Sequence, residues 1–73
     1  MNPQVDIDFG NNLRKRREAR GMSQVDFSEF CGISRAYYGR IERGEHSATI
    51  YMCFKISSSL GVSLRSLFDD LPE

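Results

Sequence analysis

Between residues 8 and 68 the apolar positions recur in five short blocks, each opened by a capping side chain or closed by glycine. Phe9, Leu13 and the stems of Arg16 and Arg17 mark one face of a helix from about Asp8 to Arg20, and Gly21 ends it. Ser23 stands where an N-cap belongs, with Asp26 at capping-box spacing, so a second helix is predicted from about Gln24 to Cys31. Gly32 supplies a sharp turn, since it tolerates positive φ. Ser34 then caps a third helix that ends at Gly44. Thr49 caps a fourth, from Ile50 to Leu60, in which Ile50, Cys53, Phe54, Ile56 and Leu60 recur at helical spacing and which Gly61 closes. Ser63 caps a short fifth, Leu64 to about Phe68. The pattern predicts an all-α, compact bundle of five short helices over residues 8–68. A flexible tail is expected before it (residues 1–7) and an acidic end after it (residues 69–73).

The second and third helices are too short to stand alone. Their apolar positions, Phe27, Cys31, Ile33, Tyr38 and Ile41, must rest on a further layer. Two short helices joined by a glycine turn have the layout of a helix-turn-helix, whose second helix enters the DNA major groove. At about 100° per residue, Tyr38 and Ile41 share one face of the third helix, with Tyr37 on the flank. Arg35, Ala36, Gly39, Arg40 and Arg43 fall on the other side. An arginine near the helix N-terminus, as Arg35 is, suits guanine O6 and N7, a contact worth about 1–3 kcal/mol of discrimination. Ala36 suits a thymine methyl. Arg40, one turn on, suits a base or a phosphate. Gly39 allows close approach, and a mid-helix glycine costs roughly 1 kcal/mol relative to Ala, so it needs a reason. Tyr37 either offers its hydroxyl to a phosphate while its ring covers the core edge, or serves packing alone.

The chain has zero net charge, which at first sight argues against nucleic acid. The distribution changes that picture. Residues 9–44 hold eight basic groups against four acidic ones, while both flanks are acidic. A molecule polarised in this way binds phosphate on one side and stays neutral overall. The run Arg14-Lys15-Arg16 reads as a solvated helix face. Cys31 and Cys53 lack metal or redox spacing and fall on apolar faces, so they read as buried free thiols, which points to the cytoplasm. No apolar run reaches 18 residues and no stretch reads as a signal peptide, so no membrane role is expected. His46 is the single histidine and reads as a solvated loop residue, and no glycine loop cradles phosphate. No enzyme activity, metal or cofactor is expected.

Leu13-x-x-x-Arg17, Gly21-Met22-Ser23-Gln24, Phe27, Gly32-Ile33-Ser34, Ile41-Glu42-Arg43-Gly44, Leu60-Gly61-Val62-Ser63 and Leu67-Phe68 follow one another in a characteristic order. In this the chain resembles the lambda-repressor-like, Cro/C1-type (XRE) family of helix-turn-helix DNA-binding proteins, over about residues 9–68. The resemblance implies that positions 35, 36 and 40 read bases. It also implies that Gln24 bonds a phosphate and braces the recognition helix, and that Arg17 and Glu42 form a structural ion pair. Arg43 and His46 follow as candidate phosphate contacts. Phe27, Ser28, Tyr38 and Ala48 depart from the family's usual Leu, Ala, Ile or Val, and Pro. Glu45 stands where members often carry a basic residue, which weakens the loop as a phosphate contact.

A domain of this size is similar to restriction–modification controller proteins, Cro-like regulators and antitoxins of the same fold. The expected function is a sequence-specific regulator of transcription, a repressor or autoregulator that reads a palindromic double-stranded DNA operator as a homodimer. Leu64, Leu67, Phe68 and Leu71, with Val62, form the expected isologous interface, the alternative being that Leu64, Leu67 and Phe68 close the monomer core and only Leu71 is exposed. Contact with RNA polymerase is compatible with this reading and not legible in it. The competing reading is a protein-interaction adaptor or antitoxin on the same fold. Neutral charge and Glu45 favour that reading, and Arg35 and Arg40 on an outward face oppose it.

Overall fold

Hydroxyl caps start three of the helices at the positions the sequence marks. A computed structural model describes residues 3–69: α1 (Pro3–Ala19), α2 (Gln24–Cys31), α3 (Arg35–Glu42), α4 (Ile50–Leu60) and a 3-10 turn (Arg65–Phe68). Ser23, Ser34 and Thr49 accept the backbone N–H of Asp26, Tyr37 and Met52, each at 3.1 Å. Each bond satisfies one of the donors that a helix start leaves orphaned.

α1 begins at Pro3 rather than near Asp8, so residues 3–7, expected as a tail, are helical. Proline suits the first helical position, where its missing N–H costs nothing. Gln4 Nε2 then donates to Asp8 Oδ1 at 3.0 Å one turn on, and Ser47 Oγ donates to Asp6 Oδ1 at 2.6 Å. Gly44, left-handed at φ 75°, lies against Ile7: a β-carbon there would sit 2.8 Å from the Ile7 Cα. The loop after α3 thereby fixes the first turns of α1.

The expected fifth helix is a 3-10 turn. Its bonds run i+3 to i, Ser66 N–H to Ser63 O at 3.0 Å and Leu67 N–H to Leu64 O at 3.2 Å. A segment this short forms the tighter turn in preference to an α-helix.

The core collects Phe9, Leu13, Phe27, Cys31, Ile33, Tyr38, Ile41, Cys53, Ile56, Leu60 and Leu67. α1 and α2 each pack against α3, and α4 covers α2 and the 3-10 turn. Two apolar residues of α4 stand outside: Ile50 is 71% exposed and Phe54 58%. The buried row of α4 is Cys53, Ile56, Ser57 and Leu60. The Ile50–Phe54 row is turned away from it, so the apolar stripe of this helix is wider than the monomer can bury.

One residue of the expected C-terminal dimer surface, Leu67, needs correction, while Phe68 stays 39% exposed. Leu67 is fully buried and Leu64 packs half-buried on the core, while Phe68 stacks on Phe9 at 5.6 Å between ring centroids. The cause is a clamp from α1. Asn12 Nδ2 donates to Leu67 O at 3.2 Å and Arg16 Nη2 to Ser66 O at 2.8 Å, drawing the turn inward. Leu71 lies outside the described residues. No described helix is long and apolar enough to cross a membrane.

Candidate nucleic-acid interface

α3 is held from behind by charge. Arg17 of α1 meets Glu42 at two points, Nη2 to Oε1 at 2.8 Å and Nε to Oε2 at 3.0 Å. Such fork-to-fork pairing fixes orientation as well as distance. The remaining arm of Arg17 donates to the Met22 carbonyl at 2.9 Å, and Gln24 Nε2 donates to Glu42 Oε1 at 3.1 Å. The buried Tyr38 hydroxyl faces the same carboxylate without a well-formed hydrogen bond. Burial alone would raise the Glu42 carboxyl; the bonds from Arg17 and Gln24 and the facing phenol outweigh it and hold the group below its ordinary value. Burial, and then the neighbouring Glu42, push the Tyr38 phenol up. Glu42 thus stays ionised and ties the end of α3 to α1 and to the start of α2.

A second anchor is backbone on backbone. Gly10 of α1 lies on the carbonyls of Ile41 and Glu42, and any side chain there would collide with them. The only sequence signal for it is a glycine inside a helical block, which often marks a close approach. The clamp made by Asn12 and Arg16 has only a partial signal: the stem of Arg16 falls on the inward face, but its head group reads as part of a solvated basic run. Its Nε also donates to Asn12 Oδ1 at 2.9 Å. Arg20 is engaged as well, donating to Leu60 O at 3.2 Å with its guanidinium over the Phe30 ring.

With its back fixed, α3 turns Arg35, Ala36 and Arg40 to solvent, and Arg43 follows at its C-terminal cap. These four expected contact residues come together on one side of the molecule. Gln24 is half-buried behind them, its amide engaged with Glu42. Tyr37 is half-buried, its ring meeting that of His46 edge-on at 5.3 Å, so the loop histidine leans on the interface rather than standing free. Gly39 departs from expectation. It is buried, with Arg43 Nη1 3.0 Å and Gln24 Oε1 3.6 Å from where its β-carbon would be. The missing side chain makes room for those two groups. Among the described residues no group of three or more potential metal ligands occurs.

Residues 13–67 match the helix-turn-helix family model HTH_3. The chain belongs to this family. HTH_3 proteins of the Cro/C1 (XRE) type are DNA-binding regulators of transcription rather than enzymes, and that is the class of this chain. The control protein C.MunI of a Mycoplasma species is 38% identical over 68 residues, 92% of each chain. C.BamHI of Bacillus amyloliquefaciens is 33% identical over 70 residues, 94% of this chain and 86% of that one. The restriction–modification controller C.AhdI of Aeromonas hydrophila superposes with a TM-score of 0.83 at 32% identity, covering 90% of this chain and 96% of that one. This likeness establishes a lambda-repressor-like fold for the HTH_3 chain, with four helices and a 3-10 turn.

Proposed function

We propose that this regulator is of the restriction–modification controller type and reads a palindromic operator in the major groove as a homodimer. The observation that carries the base-reading part is the outward row Arg35, Ala36 and Arg40 on a helix braced by the Arg17–Glu42 pair and by Gly10. A reading head needs rigid side-chain placement, since a base contact tolerates little displacement. Arg35 is assigned a guanine and Ala36 a thymine methyl, with a base or a phosphate for Arg40. Gln24 and Tyr37 are assigned backbone-positioning roles. Similarity to control proteins over nearly their whole length supports the controller type.

For the homodimer, the apolar surface left open by the monomer is a better candidate than the C-terminal leucines. Val5, Ile50 and Phe68 rim a hollow of about 190 Å³ floored by Phe9, Ala48 and Cys53, and Phe54 extends the patch one turn along α4. A second copy offering the same patch would cover it.

Selection of bound sites from a random duplex pool tests the reading. The expected result is a defined sequence with two-fold symmetry. Arg35→Ala should then lose base preference at one position of each half-site, at a cost of about 1–3 kcal/mol. Recovery of unselected sequence, or an equal loss on every duplex, would overturn the base-reading assignment.

A further inference from the structure

The end of α3 is closed by backbone, and the closure places a carboxylate. Arg43 caps the helix, its N–H directed at the carbonyls of Gly39 and Ile41. Gly44 turns left-handed, and the next N–H, that of Glu45, reaches back to Arg40 O at 2.9 Å. This double closure fixes the backbone of residues 43–45. Glu45 then meets Arg43 at two points, Nε to Oε2 at 2.8 Å and Nη2 to Oε1 at 3.3 Å. The third guanidinium nitrogen, Nη1, lies over the bare backbone of Gly39. Arg43 is therefore folded along the flank of α3 with two of its donor nitrogens already occupied. A carboxylate at the carbonyl end of a helix is disfavoured by the helix dipole, so helix electrostatics gives no reason for Glu45. Its neighbours do: the Arg43 hydrogen bonds, with Arg40 close by, hold its carboxyl below the ordinary value.

We propose that Glu45 is a built-in counter-ion for Arg43, which a DNA phosphate must displace, and that it thereby sets how tightly the regulator holds DNA of any sequence. The inference rests on the DNA-binding reading above. Phosphate contacts supply affinity and carry no sequence information. An arginine already paired contributes less of that affinity, because the phosphate competes for donors that Glu45 holds and repels the carboxylate as it arrives. The base assigned to Arg35, at the opposite end of α3, is untouched by the exchange. Glu45 thus lowers sequence-independent holding and leaves discrimination to α3. Gly39 leaves room for this arrangement, since a β-carbon there would crowd Arg43 Nη1 at 3.0 Å.

A double-mutant cycle tests this. Wild type, Glu45→Gln, Arg43→Ala and the double variant are titrated against the selected duplex and a random-sequence duplex pool at several salt concentrations. Both side chains are more than half exposed, so the variants keep the fold, which a thermal melt verifies. Glu45→Gln is expected to bind both duplexes about two- to fivefold tighter, the scale of an exposed ion pair. Its salt slope should steepen by up to about 0.9, the value of one more effective phosphate contact. In the Arg43→Ala background the same substitution should change little. Equal gains in the two backgrounds would mean that Glu45 repels DNA without acting through Arg43, and would overturn the proposal. So would unchanged binding, or a loss confined to the selected duplex, which would make Glu45 a base reader. Failure of the wild type to bind any duplex would strike the DNA-binding reading itself and is a separate outcome.

Discussion

Gly10 and Ile41 meet backbone to backbone: a β-carbon on residue 10 would lie 2.5 Å from the Ile41 carbonyl oxygen. Neither backbone can yield without moving a helix. Gly10→Ala would gain roughly 1 kcal/mol of helix propensity. Forced overpacking costs about 1–3 kcal/mol, and more against backbone than against a flexible side chain. The expected net result is destabilisation, with Tm falling by about 4–8 °C per kcal/mol lost. The same shift displaces α3, so operator affinity should fall further than the folded fraction explains. Melting and titration of the folded protein check both parts. A more stable Gly10→Ala protein would show that the two helices are free to separate.

This contact shows where the sequence runs out. Caps and glycines are local signals, and both ends of α2 and α4 and the start of α3 follow from Ser23, Gly32, Thr49, Gly61 and Ser34 alone. The outward placement of Arg35, Ala36 and Arg40 follows from helical period and the inward pull of Tyr38 and Ile41. Contacts between distant segments leave no such local trace, and the Arg17–Glu42 pair is expected only from the family resemblance. The head group of Arg16 reads as solvated until the 3-10 turn arrives beside it. Ile50 and Phe54 look like core until Cys53, Ile56 and Leu60 take that side of α4. Leu67 reads as interface or core alike, because a count of apolar residues cannot say which of several neighbours the core accepts.

Glu42 makes stability acid-sensitive. Its carboxyl is held below its ordinary value of 4.5 in the folded state. A depressed native pKa contributes stability that is fully present above the unfolded value and is lost as pH falls through the folded one. Acid unfolding should therefore set in below about pH 4.5. Glu42→Gln should lose about 3 kcal/mol at neutral pH, because Arg17 is left unpaired in a nearly buried site. The variant should also show a flatter stability profile in acid. Denaturant titrations across pH check this, and an unchanged acid slope would rule out Glu42 as the titrating group.

Cys31 and Cys53 are buried and free, and burial pushes both thiols up. The thiolate is the reactive form, so thiol reagents should reach neither residue in the native state. Labelling is expected at the rate of unfolding, rising with denaturant for both sites together. Rapid modification of Cys53 alone would show that reagents reach it through the hollow it floors without global unfolding.

The dimer face separates Ile50 and Phe54 from Leu67. A single recognition helix spans only a few base pairs, so two heads about 34–36 Å apart, or a multiple of it, are needed for a specific site. If the Val5–Ile50–Phe54–Phe68 patch is the contact, Ile50→Lys and Phe54→Lys should yield folded monomers, since both side chains already face solvent. Affinity for the full operator should then fall to that for a half-site. Leu67→Lys buries an unpaired charge and should unfold the chain rather than dissociate it. Sedimentation at micromolar protein, with circular dichroism as the check on folding, distinguishes these outcomes. A wild-type monomer at every concentration, with operator affinity indifferent to Ile50→Lys, would remove the homodimer. A dimer that survives both α4 substitutions would move the contact to another face.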